Sequence, residues 1–194
     1  MKKNLSLESE NSVRHFCLDR MTIVNLFVMS LSLFFQIGCN AQEPANRAHC
    51  KDAEFDKKVA SYLNFKVPTV SAKDVKDMKN ALILDAREKS EYDVSHIPNA
   101  QYCGFKNFDN TAWQQLPKNT NIVVYCSIGY RSEKIGEKIE HMGFTNVHNL
   151  YGSIFEWVNA GYDVVDNKNN VVKKVHTYNK AWSKWVSADV EKVY

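Results

Sequence analysis

The sequence carries no strong charge of either sign. Its 25 Lys and Arg against 22 Asp and Glu leave a net charge of +3 over 194 residues. That is too little to mark a nucleic-acid binder, and no basic block exceeds Lys173-Lys174. It has no internal repeat and no long low-complexity tract. Its six histidines show no metal-ligand spacing, so neither a metal nor any other cofactor is expected. Nor does it contain an unbroken apolar run of the ~20 residues that a membrane helix needs.

What remains, 44% hydrophobic and 24% charged residues, is ordinary for a globular protein of one domain plus an extension. The first forty residues differ from the rest. Thr22 to Gly38 is mostly apolar but interrupted by Asn25, Ser30, Ser32 and Gln36, with Lys2, Lys3, Arg14 and Arg20 ahead of it. This suits the apolar segment of an export signal. Gln36-Ile37-Gly38-Cys39 resembles a bacterial lipoprotein box, with Cys39 as the lipid acceptor. Cleavage after Ala41 and a retained membrane anchor are the alternatives. Each of them puts the folded part outside the cytosol. The expected location is the periplasmic side of a bacterial membrane, held there by lipid on Cys39. Residues 1–39 are then leader and 40–51 a polar tether.

Cys50, Cys103 and Cys126 remain in the folded part. An odd number in an oxidising compartment points to one free reactive thiol. A Cys50–Cys103 disulfide fits that arithmetic, although spacing does not establish its geometry.

Strand and helix patterns alternate from residue 52. Phe55, Val59 and Leu63 share a helix face, and Ser71 is placed to cap a short helix. Ala81 to Asp85, Gln101 to Phe105 and Asn146 to Leu150 read as strands, Val164-Val165 as the piece that closes the sheet, and Gly152 to Ala160 as a helix. Tyr178, Trp182, Trp185 and Val186 fall at helical spacing, so a C-terminal helix is expected to pack on the domain. Its aromatics are read as packing rather than as a binding surface. The alternation means an α/β fold with a mainly parallel sheet.

The chemistry concentrates in Ile122 to Ser132. Ile122-Val123-Val124-Tyr125 has no polar break, as in a strand covered on both faces. Ile135, Ile139 and Met142 then mark a helix that Gly143 ends. Cys126 therefore stands at the carboxyl end of a strand and faces a helix N-terminus, where such sheets bind their ligands. Gly129 lets the loop N–H groups turn inward, and Arg131 adds a positive charge. Both favour an anionic sulfur.

With these pieces in place, Thr69 to Val165 resembles a single rhodanese homology domain. Leu84-Asp85-Ala86-Arg87 with Glu91-Tyr92 and His96-Ile97-Pro98-Asn99-Ala100 is similar to the family's N-terminal signature, which usually has Gly where this chain has Asn99. Cys126 to Ser132 is similar to its active-site loop. Leu150-Tyr151-Gly152-Ser153 through Trp157 to Gly161-Tyr162 is similar to its C-terminal signature, with Ser153 at a frequent Gly. The resemblance implies a five-stranded parallel sheet with helices on both faces, spanning a domain of residues 52–194 with its core at 69–165 and a helical extension at 166–194.

It also implies a sulfurtransferase. Cys126 would be the nucleophile, and Ser127, Ile128, Gly129, Tyr130, Arg131 and Ser132 the loop that cradles its persulfide. The implied partners are a small sulfur-donor anion and a thiol or cyanide acceptor, a protein thiol among the candidates. Asp85 and Arg87, with Glu91 and His96, are expected to form a buried charged network supporting the loop. A persulfide carrier without turnover is one alternative. A phosphatase or arsenate reductase is the other. Those enzymes place five residues between Cys and Arg, whereas only Ser127 to Tyr130 intervene here.

Overall fold

The structure, a computed structural model, describes residues 43–194. Residues 1–39, expected to be a leader, and with them Cys39, lie outside the described residues. No helix among the described residues is long and apolar enough to cross a membrane.

Strands β1 (Thr69–Val70), β2 (Leu82–Asp85), β3 (Gln101–Tyr102), β4 (Ile122–Tyr125) and β5 (Val147–Leu150) form one sheet in the order β1-β5-β4-β2-β3. Every pairing is parallel, and β4 sits at the centre with Leu84 beside Val124 and Val124 beside Asn149. The four residues of β4 are all buried because the sheet is covered on both faces. Val123 and Tyr125 enter one core with Phe55, Leu150, Ile154 and Phe155. Ile122 and Val124 enter the other with Leu84, Ile135 and Ile139. This is the period-2 alternation of a strand.

Helix α1 (Ala53–Ala60) and α2 (Ala72–Asp77) bring Phe55, Val59, Ala72 and Val75 to the first core. The Ser71 side chain accepts from Asp74 N–H, as its capping role requires. Helix α3 (Lys89–Val94) follows β2, α4 (Tyr130–His141) follows β4, and α5 (Ser153–Asn159) follows β5. The connection at 111–116 is a run of turns.

Four expectations are corrected. Residues 47–51 are docked rather than a loose tether. Arg47 pairs with Asp56 at 2.7 Å, Ala48 N–H donates to Thr69 Oγ1, and Lys51 N–H donates to Glu156 Oε1. Val164-Val165 is not a sheet-closing strand; as β6 (Val164–Val165) it pairs antiparallel with β7 (Val171–Val172) in a sheet of its own.

The C-terminal helix is absent among the described residues. Its place is taken by β8 (Lys174–His176) paired with β9 (Glu191–Val193) and by a 3-10 turn at Ser183–Trp185. Tyr178 has φ 65°, which no helix accommodates. Its aromatics also diverge. Trp185 stacks near Phe55 at 5.6 Å, whereas Trp182 meets Tyr62 at 5.5 Å. Finally, Cys50 and Cys103 are free thiols in the two different cores, on opposite sides of the sheet, so they do not form a disulfide.

Candidate active site

Cys126 follows the last residue of β4, and its backbone is locked from both directions. Its N–H donates to Ser153 Oγ at 3.1 Å, and that hydroxyl donates to Leu150 O. The first turn of α5 supplies two further N–H groups, from Ile154 to Cys126 O and from Phe155 to Ser127 O. A helix N-terminus has such donors to spare. With the loop entrance fixed in this way, an N–H group further along can turn inward. Gly129, with φ 124°, does so and donates its N–H to Cys126 Sγ at 3.2 Å. Gly129 also caps α4, so the positive end of that helix faces the sulfur.

Ser132 stands one turn into α4. Its hydroxyl is 3.5 Å from Cys126 Sγ and 2.7 Å from Asn149 Oδ1, while Asn149 Nδ2 donates to Gly129 O. Asn149 on β5 therefore clamps both ends of the cradle. Burial pushes the Cys126 thiol up. The Arg131 charge and the Ser132 and Gly129 hydrogen bonds more than offset that and hold it below the ordinary cysteine value. Burial instead pushes the Cys50 and Cys103 thiols well above it.

Arg131 does not stand free. Nη1 and Nη2 donate to Glu91 Oε2 and Oε1 at 2.6 and 2.9 Å, and Nη2 also donates to Ser127 Oγ. Glu91 is held in turn by the capping box of α3, where it accepts from Glu88 N–H. Burial raises the Glu91 carboxyl, but its bond with Arg131 and the arginine's charge bring it below the ordinary carboxylate range.

Asp85 and Arg87 form a separate, fully buried pair at 2.7 Å. Arg87 also donates to Ser95 O, which ties the end of β2 to the turn after α3. Neither residue lines the cleft described below. His96 is bound to its own turn, with Nδ1 3.1 Å from Tyr92 O and its ring stacked on Tyr92.

A cleft of about 390 Å³ opens over Cys126. Cys126, Ser127, Ile128, Tyr130 and Arg131 line it, while Gly129 and Ser132 act from behind the sulfur. The sequence singles out these same loop residues. It leaves Asn149 and Ser153 without a role, because a single polar residue within a strand or at a helix start carries no partner information. Its reading of the tail aromatics as packing holds for Trp182 and Trp185, which pack against the first core, but Tyr178 and Trp182, together with Tyr62, also line the cleft. The available signal was the aromatic content of an otherwise polar segment. Among the described residues no group of three His, Cys, Asp or Glu is placed to hold a metal.

Residues 71–160 match the family model for the Rhodanese-like domain. The chain is 39% identical over 84 residues to a tRNA uridine(34) hydroxylase of Aster yellows witches'-broom phytoplasma, covering 41% of this chain and 27% of that protein. It is 33% identical over 97 residues to a tRNA uridine(34) hydroxylase of Buchnera aphidicola, covering 46% and 31%. The match thus spans under a third of the length of these relatives. The solved rhodanese-like domain of an Anabaena protein superposes with a TM-score of 0.47 at 24% identity, covering 51% of this chain and 79% of that one. By the family match, residues 71–160 are similar to a rhodanese-like domain.

Proposed function

We propose that this protein is a sulfurtransferase that moves a sulfane sulfur through a persulfide on Cys126. The observation that carries this reading is the contrast among its three buried thiols. Among the described residues Cys126 alone is held below the ordinary cysteine value, and it lines the cleft described above, which Cys50 and Cys103 do not.

The Cys126 thiolate attacks the outer sulfur of a donor such as thiosulfate. A sulfur–sulfur bond forms to Sγ, the bond from the outer sulfur to the sulfonate sulfur breaks, and sulfite leaves with the electron pair. The terminal sulfur of the persulfide is then anionic. The Gly129 N–H, the Ser132 hydroxyl and the end of α4 face Sγ and stabilise the thiolate before attack and as it re-forms, while Arg131 is a cation lining the cleft that the terminal sulfur enters. An acceptor thiolate attacks that terminal sulfur and regenerates the Cys126 thiolate, with no net oxidant or reductant. The four-residue interval between Cys126 and Arg131 supports a sulfur atom over a tetrahedral oxyanion as the guest.

The relatives' names describe whole proteins of which the matched part is under a third. The net charge of +3 and the pairing of Arg131 with Glu91 provide no basic stripe for a polynucleotide. The transferase reading is therefore preferred to a nucleic-acid-modifying one.

Mass spectrometry of the full chain after thiosulfate treatment tests the proposal. One added sulfur atom on Cys126, discharged by a thiol with repeated turnover, is expected. Loading without turnover would make the protein a carrier. A Cys126→Ser variant with full turnover would overturn the assignment.

A further inference from the structure

We propose that Tyr62, Tyr178 and Trp182 form the acceptor subsite of this cleft, and that the acceptor is a small organic thiol with an uncharged, apolar body. The inference rests on the sulfur-transfer reading and adds to it the identity of the second substrate.

None of these three aromatics lies within the matched span 71–160. Tyr62 follows α1, and Tyr178 and Trp182 come from the loop between β8 and β9. The two flanking segments meet each other over the catalytic loop. The Tyr62 and Trp182 rings sit edge to face at 5.5 Å, and the Tyr178 ring lies 5.5 Å from the Arg131 guanidinium carbon.

The wall is held in place rather than loosely draped. Thr177 is fully buried, and its N–H donates to Val193 O. Tyr178 N–H donates to His176 Nδ1 at 3.0 Å, and Trp182 N–H donates to Asn179 O. Tyr178 itself adopts φ 65°, a region that a bulky side chain enters only when its surroundings impose it. The residue nevertheless remains 57% exposed, and it is one of those that line the cleft. A large aromatic that is both strained and exposed gains little for stability in this position, which suits contact with a ligand.

Charge and size decide the kind of ligand. The Arg131 cation is matched by Glu91, the remaining charged lining residues, Lys106 and Glu88, are of opposite sign, and Lys58, which lies over the Tyr62 and Trp182 rings, is not part of the lining. The aromatic wall thus offers an acceptor apolar surface with no unbalanced lining charge for a charged body to pair with. Its volume of about 390 Å³ is in the range of small-molecule sites. Cyanide would leave most of that surface unused.

Single-turnover discharge of the thiosulfate-loaded full chain tests this, using benzyl mercaptan and 2-mercaptoethanol, two thiols of similar basicity, with glutathione as a charged body. The wild type should be discharged fastest by benzyl mercaptan. Tyr178→Ala and Trp182→Ala should each lower the benzyl mercaptan to 2-mercaptoethanol rate ratio by about two- to tenfold, the range of a lost aromatic contact. Tyr178→Phe should keep the ratio, because the ring rather than the hydroxyl makes the contact. Equal rates with the two probes in the wild type, fastest discharge by glutathione, or alanine variants that keep the ratio would each overturn the subsite. A wild type that takes no sulfur from any sulfane donor would instead overturn the transfer reading beneath it.

Discussion

Glu91 and Arg131 lie forty positions apart in the chain and join in a two-pronged ion pair of 2.6 and 2.9 Å beside the catalytic loop. The loop's one full positive charge is thus shared between a carboxylate and the Cys126 sulfur.

Glu91→Gln should release that charge toward the sulfur. The rate of Cys126 alkylation against pH should shift to lower pH, whereas Arg131→Ala should shift it upward. The glutamine variant should also lose about 1–3 kcal/mol in denaturant unfolding at neutral pH, because a largely buried arginine loses its counter-charge. The sign of the pH dependence follows from the depressed Glu91 carboxyl. Its contribution is present above the ordinary value of 4.5 and fades as pH falls through the lower folded value. The stability gap between wild type and Glu91→Gln should therefore close in acid. A gap that is constant with pH would contradict the pairing.

Gly129→Ala should damage the cradle through backbone strain rather than through crowding. The nearest atom to an added Cβ, Leu63 Cδ2, is at an ordinary 3.4 Å, but φ 124° is foreign to alanine. A cost of about 1–3 kcal/mol is expected. As the Gly129 N–H leaves Sγ, the alkylation profile should move to higher pH. An unchanged profile would mean that Arg131 and Ser132 suffice.

Glu156→Gln should stabilise the protein. Oε2 is buried with no hydrogen-bond partner among the described residues, and burial raises the carboxyl above its ordinary 4.5 despite the Lys51 N–H bond to Oε1. A raised carboxyl contributes stability that is complete below 4.5 and lost as pH rises through the folded value. The variant should therefore melt higher than wild type at neutral pH, by the equivalent of about 1 kcal/mol, and should match it in acid. A destabilised variant at neutral pH would show that the charge is needed.

We propose that residues 1–39 are a lipoprotein leader that anchors the protein. Cys39→Ala should release the full-length product from the membrane fraction and abolish the mobility shift of lipid processing. A wild type that fractionates as a soluble protein beginning at Gln42 would favour ordinary cleavage after Ala41.

The sequence by itself determined the features set by neighbouring residues. The unbroken Ile122 to Tyr125 run specifies a strand buried on both faces. The Ile135 and Ile139 stripe specifies the helix behind the sulfur, Ser71 specifies a cap, and Gly129 the backbone freedom that turns an N–H onto Cys126. These are properties of backbone period and backbone freedom, and both are written locally. Only the tertiary structure decided which charges meet and which aromatics share a surface. Helical spacing in Tyr178 to Val186 looked sufficient, but β8 pairs with β9 and Tyr178 takes a left-handed turn, which sends Trp185 to the core and Tyr178 to the cleft. Cys50 and Cys103 satisfied the arithmetic of a disulfide until the sheet came between them. Glu91 could be read as part of a network, but its partner Arg131 becomes its neighbour only when α3 and α4 meet at the carboxyl ends of β2 and β4. Such pairings depend on where the folded chain returns, and local periodicity carries no record of that.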